Sequence, residues 1–341
     1  MEIAFNRKPR VAVIVFVLGL LAGSSFAAAL DLDAPTRSRL SAGAESLDAL
    51  HTLLVLHDGD VVFENAYRGS APTAPANLKS LSKTILSVLA GIAIDNGVVE
   101  SVDQPLVDLL GARVPDDATE GVDRITLGDA LSLRTGLQST SGRNYGRWVQ
   151  SDNWVAHVLT RPMVDEPGGR MIYSTGSTHL AAAALVEASG ETLLTLARDW
   201  LGEPLDIGIQ DWMRDPQGIH FGGNEMHLSP RGVARIGELY RLGGEIDGRR
   251  VVSRDWIEAS WAPRGRSPWS GDLYGYGWFI TEIAGERAYY GRGYGGQMLY
   301  VVPSRALTVV ITSRSVPPSA GGRYVRRLHR LVADFIEATG R

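Results

Sequence analysis

The sequence predicts an α+β fold of three layers, in which an antiparallel sheet built from both chain ends is flanked by helices. Three features predict this arrangement: an apolar hairpin pattern near residue 55, a run of strand patterns from residue 274 onward, and helical patterns between them. The 341-residue chain is 44% hydrophobic and 21% charged, so it can bury a large core. We therefore expect a mostly helical region inserted into one sheet.

The individual elements follow from local patterns. Residues 53–57 and 60–64 flank Asp58-Gly59, which is a turn signal of β-hairpins. Residues 80–96 are apolar on most of the helical circumference, which indicates a buried helix. Further helices are predicted at 127–133, 153–159, 178–188, 193–200, 231–242 and 324–338, and strands at 274–280, 287–290, 297–302 and 307–312.

The first 29 residues have the features of a signal peptide. Arg7, Lys8 and Arg10 precede an apolar run over residues 11–23, and small residues up to position 29 offer a cleavage site. The run is shorter than the roughly 20 residues of a spanning helix, so a membrane anchor is the less favoured alternative. We expect removal of residues 1–29 and a periplasmic or secreted product without a stable membrane anchor. Residues 30–341 would form one domain, with the sheet part at about 45–75 and 250–341 and the helical part at about 80–250.

Composition excludes some classes of function. The formal net charge of −4 does not favour nucleic-acid binding. The chain has no cysteine, which excludes disulfides, thiolate catalysis and cysteine-based metal sites. The histidines show no zinc-binding spacing such as His-Glu-x-x-His.

A Ser-x-x-Lys motif, formed by Ser80 and Lys83, opens the predicted buried helix. Only three of the 34 basic residues are lysines, Lys8, Lys79 and Lys83, and a lysine can lose its proton where an arginine cannot. Positions i and i+3 share a helix face, so the Lys83 amine can reach Ser80 Oγ, and burial beside Lys79 would lower its pKa. The helix start also offers free N–H groups to an oxyanion. The competing interpretation makes Ser80 a simple N-cap beside two solvated lysines.

Two later segments add candidate groups. Tyr173 follows a Pro-Gly pair and precedes a Ser/Thr-rich helix start, where its phenol could point into a cleft, although packing is the commoner role of a tyrosine. Residues 290–297 contain closely spaced glycines before a strand. Such glycines allow a close approach of the backbone to a ligand or, alternatively, form a bulge at a sheet edge.

Taken in order, these motifs resemble the serine β-lactamase and penicillin-binding-protein superfamily. Within it, the sequence is most similar to the class C-like serine hydrolases, which include esterases, D-aminopeptidases and 6-aminohexanoate-oligomer hydrolases. Segments at 125–137, 222–231 and 274–278 also resemble that branch, so the similarity extends over most of the chain.

The resemblance implies a role for each motif. Ser80 would be the nucleophile that forms an acyl-enzyme, while Lys83 and Tyr173 would share its proton and return it to the leaving group. The oxyanion hole would consist of the Ser80 N–H and a second N–H from the segment between Gly293 and Gly295. The resemblance implies no metal and no organic cofactor, and its substrate would be a small-molecule ester, amide or peptide.

Two positions depart from the β-lactamases of this superfamily. Thr175 stands where they usually have Asn, and the stretch ending at Arg292 replaces their usual Lys-Thr-Gly. Because those positions help to hold a β-lactam or peptide carboxylate, we expect an ester or amide hydrolase, with Arg292 as a possible replacement charge. Two alternatives stay open: a β-lactamase or D,D-carboxypeptidase, and a non-catalytic binder or sensor of cell-wall peptide.

Aromatic residues in loop-like segments are predicted to wall a substrate cleft, although packing is the alternative for each: Tyr145, Trp148, Trp154, Trp269 and Tyr274. The expected substrate-binding set is Thr175, Arg292, Tyr294, Tyr145 and Trp154. A Ser-Asp-Asn triplet at 151–153 matches a class A β-lactamase motif. Its surroundings indicate a helix cap, with Ser151 or Asp152 as the capping residue, so Tyr173 is the preferred partner of Lys83.

Overall fold

The structure is a computed structural model that describes residues 32–317 and 321–339. The predicted signal peptide, residues 1–29, lies outside this range. Within the described residues no single helix is long and apolar enough to cross a membrane, although one bent pair, Thr175–Ser189 with Leu193–Leu205, passes by length and composition.

The strands come from both ends of the chain. They are β1 (Leu50–His57), β2 (Asp60–Ala66), β3 (Ala76–Asn77), β4 (His227–Leu228), β5 (Glu245–Ile246), β6 (Arg249–Arg250), β7 (Gly265–Arg266), β8 (Leu273–Tyr274), β9 (Phe279–Ile283), β10 (Glu286–Gly293), β11 (Gln297–Val302) and β12 (Leu307–Ser313). Eight of them form one antiparallel sheet in the order β2-β1-β12-β11-β10-β9-β8-β7.

The helices lie mostly between the two groups of strands. They are α1 (Ala34–Glu45), α2 (Ser82–Asp95), α3 (Leu106–Leu110), α4 (Leu127–Leu131), α5 (Tyr145–Val149), α6 (Trp154–Leu159), α7 (Thr175–Ser189), α8 (Leu193–Ala197), α9 (Glu203–Leu205), α10 (Pro230–Arg241), α11 (Arg254–Trp261) and α12 (Gly322–Thr339). A short 3₁₀ turn, Lys79–Leu81, leads directly into α2.

The sheet is buried on both faces. Along β1, Leu53 and Val55 contact the cluster that contains α1 and α12, whereas Leu54 and Leu56 contact the cluster that contains α2, α7 and α10. Successive side chains of a strand point to opposite faces, which is why this strand reads as a continuous apolar run. The result is helix, sheet and helix in three layers.

The predicted buried helix is the one that positions the reactive motif. Every residue of α2 except Ile94 and Asp95 is buried. The helix lies between the sheet and α7, and its first turn abuts β10. The prediction of one helix from residue 80 is wrong in one detail, since Ser80 belongs to the 3₁₀ turn and α2 begins at Ser82.

Two further differences have clear physical reasons. The predicted strand 274–280 is wrong: β8 and β9 form a hairpin in which Tyr274 pairs with Phe279, and Gly277 takes φ +77°, which suits a turn. Helix α1 was not anticipated, because only Leu40 and Ala44 of it are buried and its apolar pattern is sparse. The predicted hairpin turn is confirmed, with φ +50° at Asp58 and +90° at Gly59.

Candidate active site

Two neighbouring side chains, Ser80 and Lys83, meet Tyr173 from a distant part of the chain beside one cavity. The Lys83 Nζ lies 3.4 Å from Ser80 Oγ. The Tyr173 phenol is close enough to Ser80 for that hydroxyl to influence the pKa of the phenol. The Lys83 Nζ also lies 5.1 Å from the centre of the Tyr173 ring. The cavity above them measures about 480 Å³ and is lined by Ser80, Tyr173, Ser267, Trp269, Phe279, Arg292, Gly293 and Tyr294.

The Lys83 amine is removed from water. Its side chain is on the most buried part of α2, and the residue is only 3% exposed. Burial lowers the pKa of Lys83 from 10.5 to about 7, because an ammonium loses its hydration there. Its hydrogen-bond partners besides Ser80 are neutral oxygens: the Gly223 carbonyl at 2.7 Å and Thr175 Oγ1 at 3.2 Å. The amine can therefore exist in its neutral form near pH 7 and accept a proton.

The pKa of Tyr173 is shifted in the opposite direction to that of Lys83. Burial raises the pKa of the Tyr173 phenol, while the nearby Ser80 hydroxyl and the charge of Arg292 partly oppose that rise. A phenol with a raised pKa keeps its proton at neutral pH. Of the two groups, Lys83 is therefore the one that can accept a proton near neutral pH, while the phenol keeps its proton there.

A ladder of hydroxyl groups holds the tyrosine segment in place. Residues 139–141 run alongside residues 173–175, and each step of the ladder has a hydrogen bond: Ser139 Oγ to the Tyr173 carbonyl at 2.6 Å, Thr140 N–H to Ser174 Oγ at 3.1 Å, and Thr175 N–H to Ser141 Oγ at 2.9 Å. Thr175 was expected to contact substrate. It is instead 3% exposed, and its hydroxyl is engaged by Lys83 and Ser141.

Lys79 does not lower the pKa of Lys83. Its ammonium forms an ion pair with Glu225, with Nζ 2.8 Å from Oε1. The lowered pKa of Lys83 has burial as its cause. The expectation that a second lysine would crowd the base is therefore wrong, because a carboxylate neutralises that charge.

Backbone N–H groups beside the cavity come from two elements. Among the described residues, none accepts a hydrogen bond from the N–H of Ser80 or Tyr294. Gly293 lies against the nucleophile turn so closely that a Cβ there would be 2.1 Å from the Leu78 carbonyl oxygen. Gly295 packs against Ser315 instead and does not line the cavity, so the structure does not support it as an oxyanion donor.

One charged side chain lines the cavity. The Arg292 guanidinium forms no hydrogen bond or ion pair with residues 32–317 or 321–339. The nearby Asp272 carboxylate instead accepts a hydrogen bond from the Tyr290 hydroxyl at 2.6 Å. In the same described part of the chain, no group of three or more His, Asp or Glu residues is arranged to hold a metal ion.

Comparisons with known proteins identify the family. The Beta-lactamase family model matches residues 49–334, which is most of the chain. The chain belongs to the Beta-lactamase family. The 6-aminohexanoate-dimer hydrolase of Paenarthrobacter ureafaciens is 25% identical over 222 residues, covering 60% of this chain and 55% of that protein. The chain thus matches only about half the length of that relative.

Two solved structures share the fold. A penicillin-binding protein homologue from Caulobacter crescentus aligns over 89% of this chain and 97% of its own, with a TM-score of 0.72 and 19% identity. A family VIII carboxylesterase aligns over 88% and 97%, with a TM-score of 0.68 and 15% identity. The predicted family and α+β fold are confirmed, and the relatives named here include hydrolases.

Several aromatic residues that were predicted to line the cleft lie in the hydrophobic core instead. Trp148, Trp154 and Tyr274 are at most 3% exposed, and Trp154 packs on Phe221, so the predicted substrate contact at Trp154 is wrong.

Tyr145 does not line the cavity; its hydroxyl accepts from Asn224 Nδ2 at 3.0 Å. Trp269 is 71% exposed and meets the Tyr173 ring edge-on, so it does form a wall.

The Ser-Asp-Asn triplet at 151–153 has a structural role. Asn153 Oδ1 accepts from the Ala156 N–H at 3.0 Å and caps α6, one position later than the predicted caps. Ser151 Oγ donates to the Trp148 carbonyl at 2.6 Å. The triplet therefore does not take the place of Tyr173.

Two residues of the site were not anticipated. The Gly223 carbonyl binds the base, and Glu225 pairs with Lys79. The segment 222–231 was recognised only as resembling the family, and no local pattern links it to a helix about 140 residues earlier. A backbone carbonyl gives no sequence signal as a ligand of an amine.

Proposed function

We propose that the protein is an exported serine hydrolase that cleaves an ester or amide through an acyl-enzyme on Ser80. The observation that supports this most strongly is the buried Lys83 amine, whose Nζ lies 3.4 Å from Ser80 Oγ. An amine with a pKa near 7 is a general base at neutral pH, whereas a solvated lysine is not.

In the acylation step Ser80 Oγ attacks the carbonyl carbon of the substrate, and the Oγ proton passes to the neutral Lys83 amine. The carbonyl oxygen becomes an oxyanion, for which the free N–H groups of Ser80 and Tyr294 are the proposed donors. As the tetrahedral intermediate collapses, the bond to the leaving group breaks. Tyr173 protonates the leaving oxygen or nitrogen and regains a proton from the Lys83 ammonium. In deacylation a water molecule attacks the acyl carbon and its proton passes to the Lys83 amine. The bond from the acyl carbon to Ser80 Oγ then breaks, Ser80 Oγ takes the proton back, and the acid is released.

The substrate is proposed to be an open-chain ester or amide rather than a β-lactam. Thr175, at the position where the family's β-lactamases usually have Asn, has its hydroxyl engaged by Lys83 and Ser141. No lysine lines the cavity, and its cation is Arg292. One relative is named a 6-aminohexanoate-dimer hydrolase. A substrate with an apolar body and a carboxylate would match Trp269, Phe279 and Arg292.

Replacing the base tests this function. Lys83→Arg keeps a positive charge but removes a deprotonable amine, so hydrolysis of p-nitrophenyl butyrate should fall by about 10³-fold. Labelling of Ser80 by a fluorophosphonate, followed by mass spectrometry, should slow in parallel. For the wild type the labelling rate should rise with pH through about 7, since the reactive form is the neutral amine.

The controls separate the alternatives. Ser80→Ala must abolish the label, and circular dichroism must show that both variants fold. A wild type that folds but takes no label at Ser80, or a Lys83→Arg variant as fast as the wild type, would contradict the proposal. Nitrocefin hydrolysis faster than that of esters and linear amides would favour the β-lactamase alternative.

Arg292 is proposed to select substrates that carry a carboxylate. Arg292→Gln should raise KM about tenfold or more for a p-nitrophenyl ester with a terminal carboxylate, because a charged hydrogen bond is lost. The same variant should leave KM unchanged for the matched neutral ester. Arg287→Gln, at an exposed position of the same strand, is the control. Equal KM changes for both substrates would argue against a carboxylate site.

Export is proposed from the basic and apolar pattern of residues 1–29. Intact mass spectrometry of the protein from expressing cells should show a mature chain that starts near residue 30 in the periplasmic or secreted fraction. Recovery of the uncleaved chain from the membrane fraction would instead indicate an anchor.

A further inference from the structure

Lys79, which immediately precedes the nucleophile, belongs to a closed network of three side chains. Its Nζ lies 2.8 Å from Glu225 Oε1, and the other carboxylate oxygen accepts from Asn77 Nδ2 at 2.6 Å. The backbone N–H of Lys79 donates to Asn77 Oδ1 at 2.9 Å. The carboxylate thus binds both the lysine side chain and the asparagine that holds the lysine backbone.

Both ends of the ion pair lie at unusual backbone positions. Lys79 has φ +51° and Glu225 has φ +63°. Residues with a Cβ rarely adopt this left-handed region, and they stay there only when surrounding contacts hold them. The ion pair joins these two turns directly, although they are 146 residues apart in the chain.

One of the two turns contains Ser80, and the other contacts Lys83. One turn presents Ser80, and the other contains Gly223, whose carbonyl accepts from Lys83 Nζ at 2.7 Å. The Lys79–Glu225 pair therefore fixes the nucleophile turn against the loop that covers the base. A base whose pKa depends on burial depends on that cover, since water entering beside Gly223 would rehydrate the ammonium.

We propose that Lys79 and Glu225 are positioning residues for the reaction, an inference that rests on the proposed roles of Ser80 and Lys83. Their ion pair keeps the Gly223 loop closed over Lys83 and keeps Ser80 within reach of the amine. The side chains of the pair are 23% and 20% exposed, so removing one partner leaves the other largely buried and unpaired, and each variant must be shown to fold. A displacement of about 1 Å at the reacting atoms is enough to lower the rate about a hundredfold.

The two lysines give a matched test, because position 79 needs only a cation whereas position 83 needs an amine that can lose its proton. Lys79→Arg should keep kcat within about threefold of wild type, while Lys79→Met and Glu225→Gln should lower kcat about ten- to hundredfold with KM nearly unchanged. In both damaged variants the pH midpoint of Ser80 labelling should move upward from the wild-type value, because a rehydrated Lys83 binds its proton more tightly.

The double variant and a remote ion pair complete the experiment. Lys79→Met with Glu225→Gln should be no slower than the slower single variant, as expected for one shared interaction. Arg113→Met removes a comparable pair, Arg113 Nε to Glu187 Oε1 at 2.6 Å, and should change neither kcat nor the pH midpoint. If Lys79→Met fails to fold by circular dichroism, Glu225→Gln, which keeps the size of the side chain, decides the question.

Three outcomes would overturn the inference. The first is that Lys79→Met and Glu225→Gln fold and keep the wild-type kcat and the wild-type pH midpoint of labelling. The second is an equal loss of kcat in Lys79→Arg and Lys79→Met, and the third is a lower kcat with an unchanged pH midpoint of labelling. If the wild type hydrolyses esters and is labelled at Ser80, and the variants behave like the wild type, only the positioning role is refuted. A wild type without Ser80 labelling would refute the proposed function itself.

Discussion

The site depends on the burial of one amine. Lys83 is 3% exposed, and burial brings the pKa of its ammonium from 10.5 to about 7. A shift of that size corresponds to a preference for the neutral form of about 5 kcal/mol. The fold therefore loses stability as the pH falls from 10.5 to about 7, because the unfolded chain binds a proton in that range that the folded chain does not. In return the fold keeps a proton acceptor beside the Ser80 hydroxyl. The same helix with a solvated lysine would hold an unreactive serine.

The three layers of the fold provide that burial. The helix that bears Lys83 is enclosed by the sheet on one side and by α7 on another, so the Lys83 side chain is buried with the rest of the first turn. Neutral partners satisfy the amine without charging it: the Gly223 carbonyl, Thr175 and Ser80. Among the residues that the structure describes, no carboxylate contacts the amine. A carboxylate there would favour the ammonium and restore its ordinary pKa. The Glu225 carboxylate is paired with Lys79 instead.

Sequence alone predicted the features that rest on local pattern. The Ser-x-x-Lys spacing, the apolar helix behind it, the Asp-Gly hairpin and the sheet from both chain ends all have short-range signals, and the structure contains them. What could not be predicted depends on three-dimensional packing. An apolar run interrupted by glycines at 275 and 277 reads as one strand, although those glycines turn the chain. A tryptophan such as Trp154 has the same composition signal in a cleft wall as in a core.

Contacts between residues far apart in the chain could not be predicted either. Nothing near Lys79 in the sequence indicates that its partner is Glu225, and nothing near Gly223 marks its carbonyl as a ligand of Lys83. The two lysines differ by four positions and look alike in sequence, yet one is ion-paired and the other has only neutral partners. Their chemistry is set by what the fold places opposite each of them.

The most direct measurement is a proton titration of the lysines themselves. Because the chain has only three lysines, selective ¹³Cε labelling gives one NMR resonance for each, and Lys83→Arg assigns the resonance of interest. The account predicts that the Lys83 resonance titrates with a midpoint near pH 7. A Lys83 resonance that titrates near 10.5, as a solvated lysine does, would contradict the account.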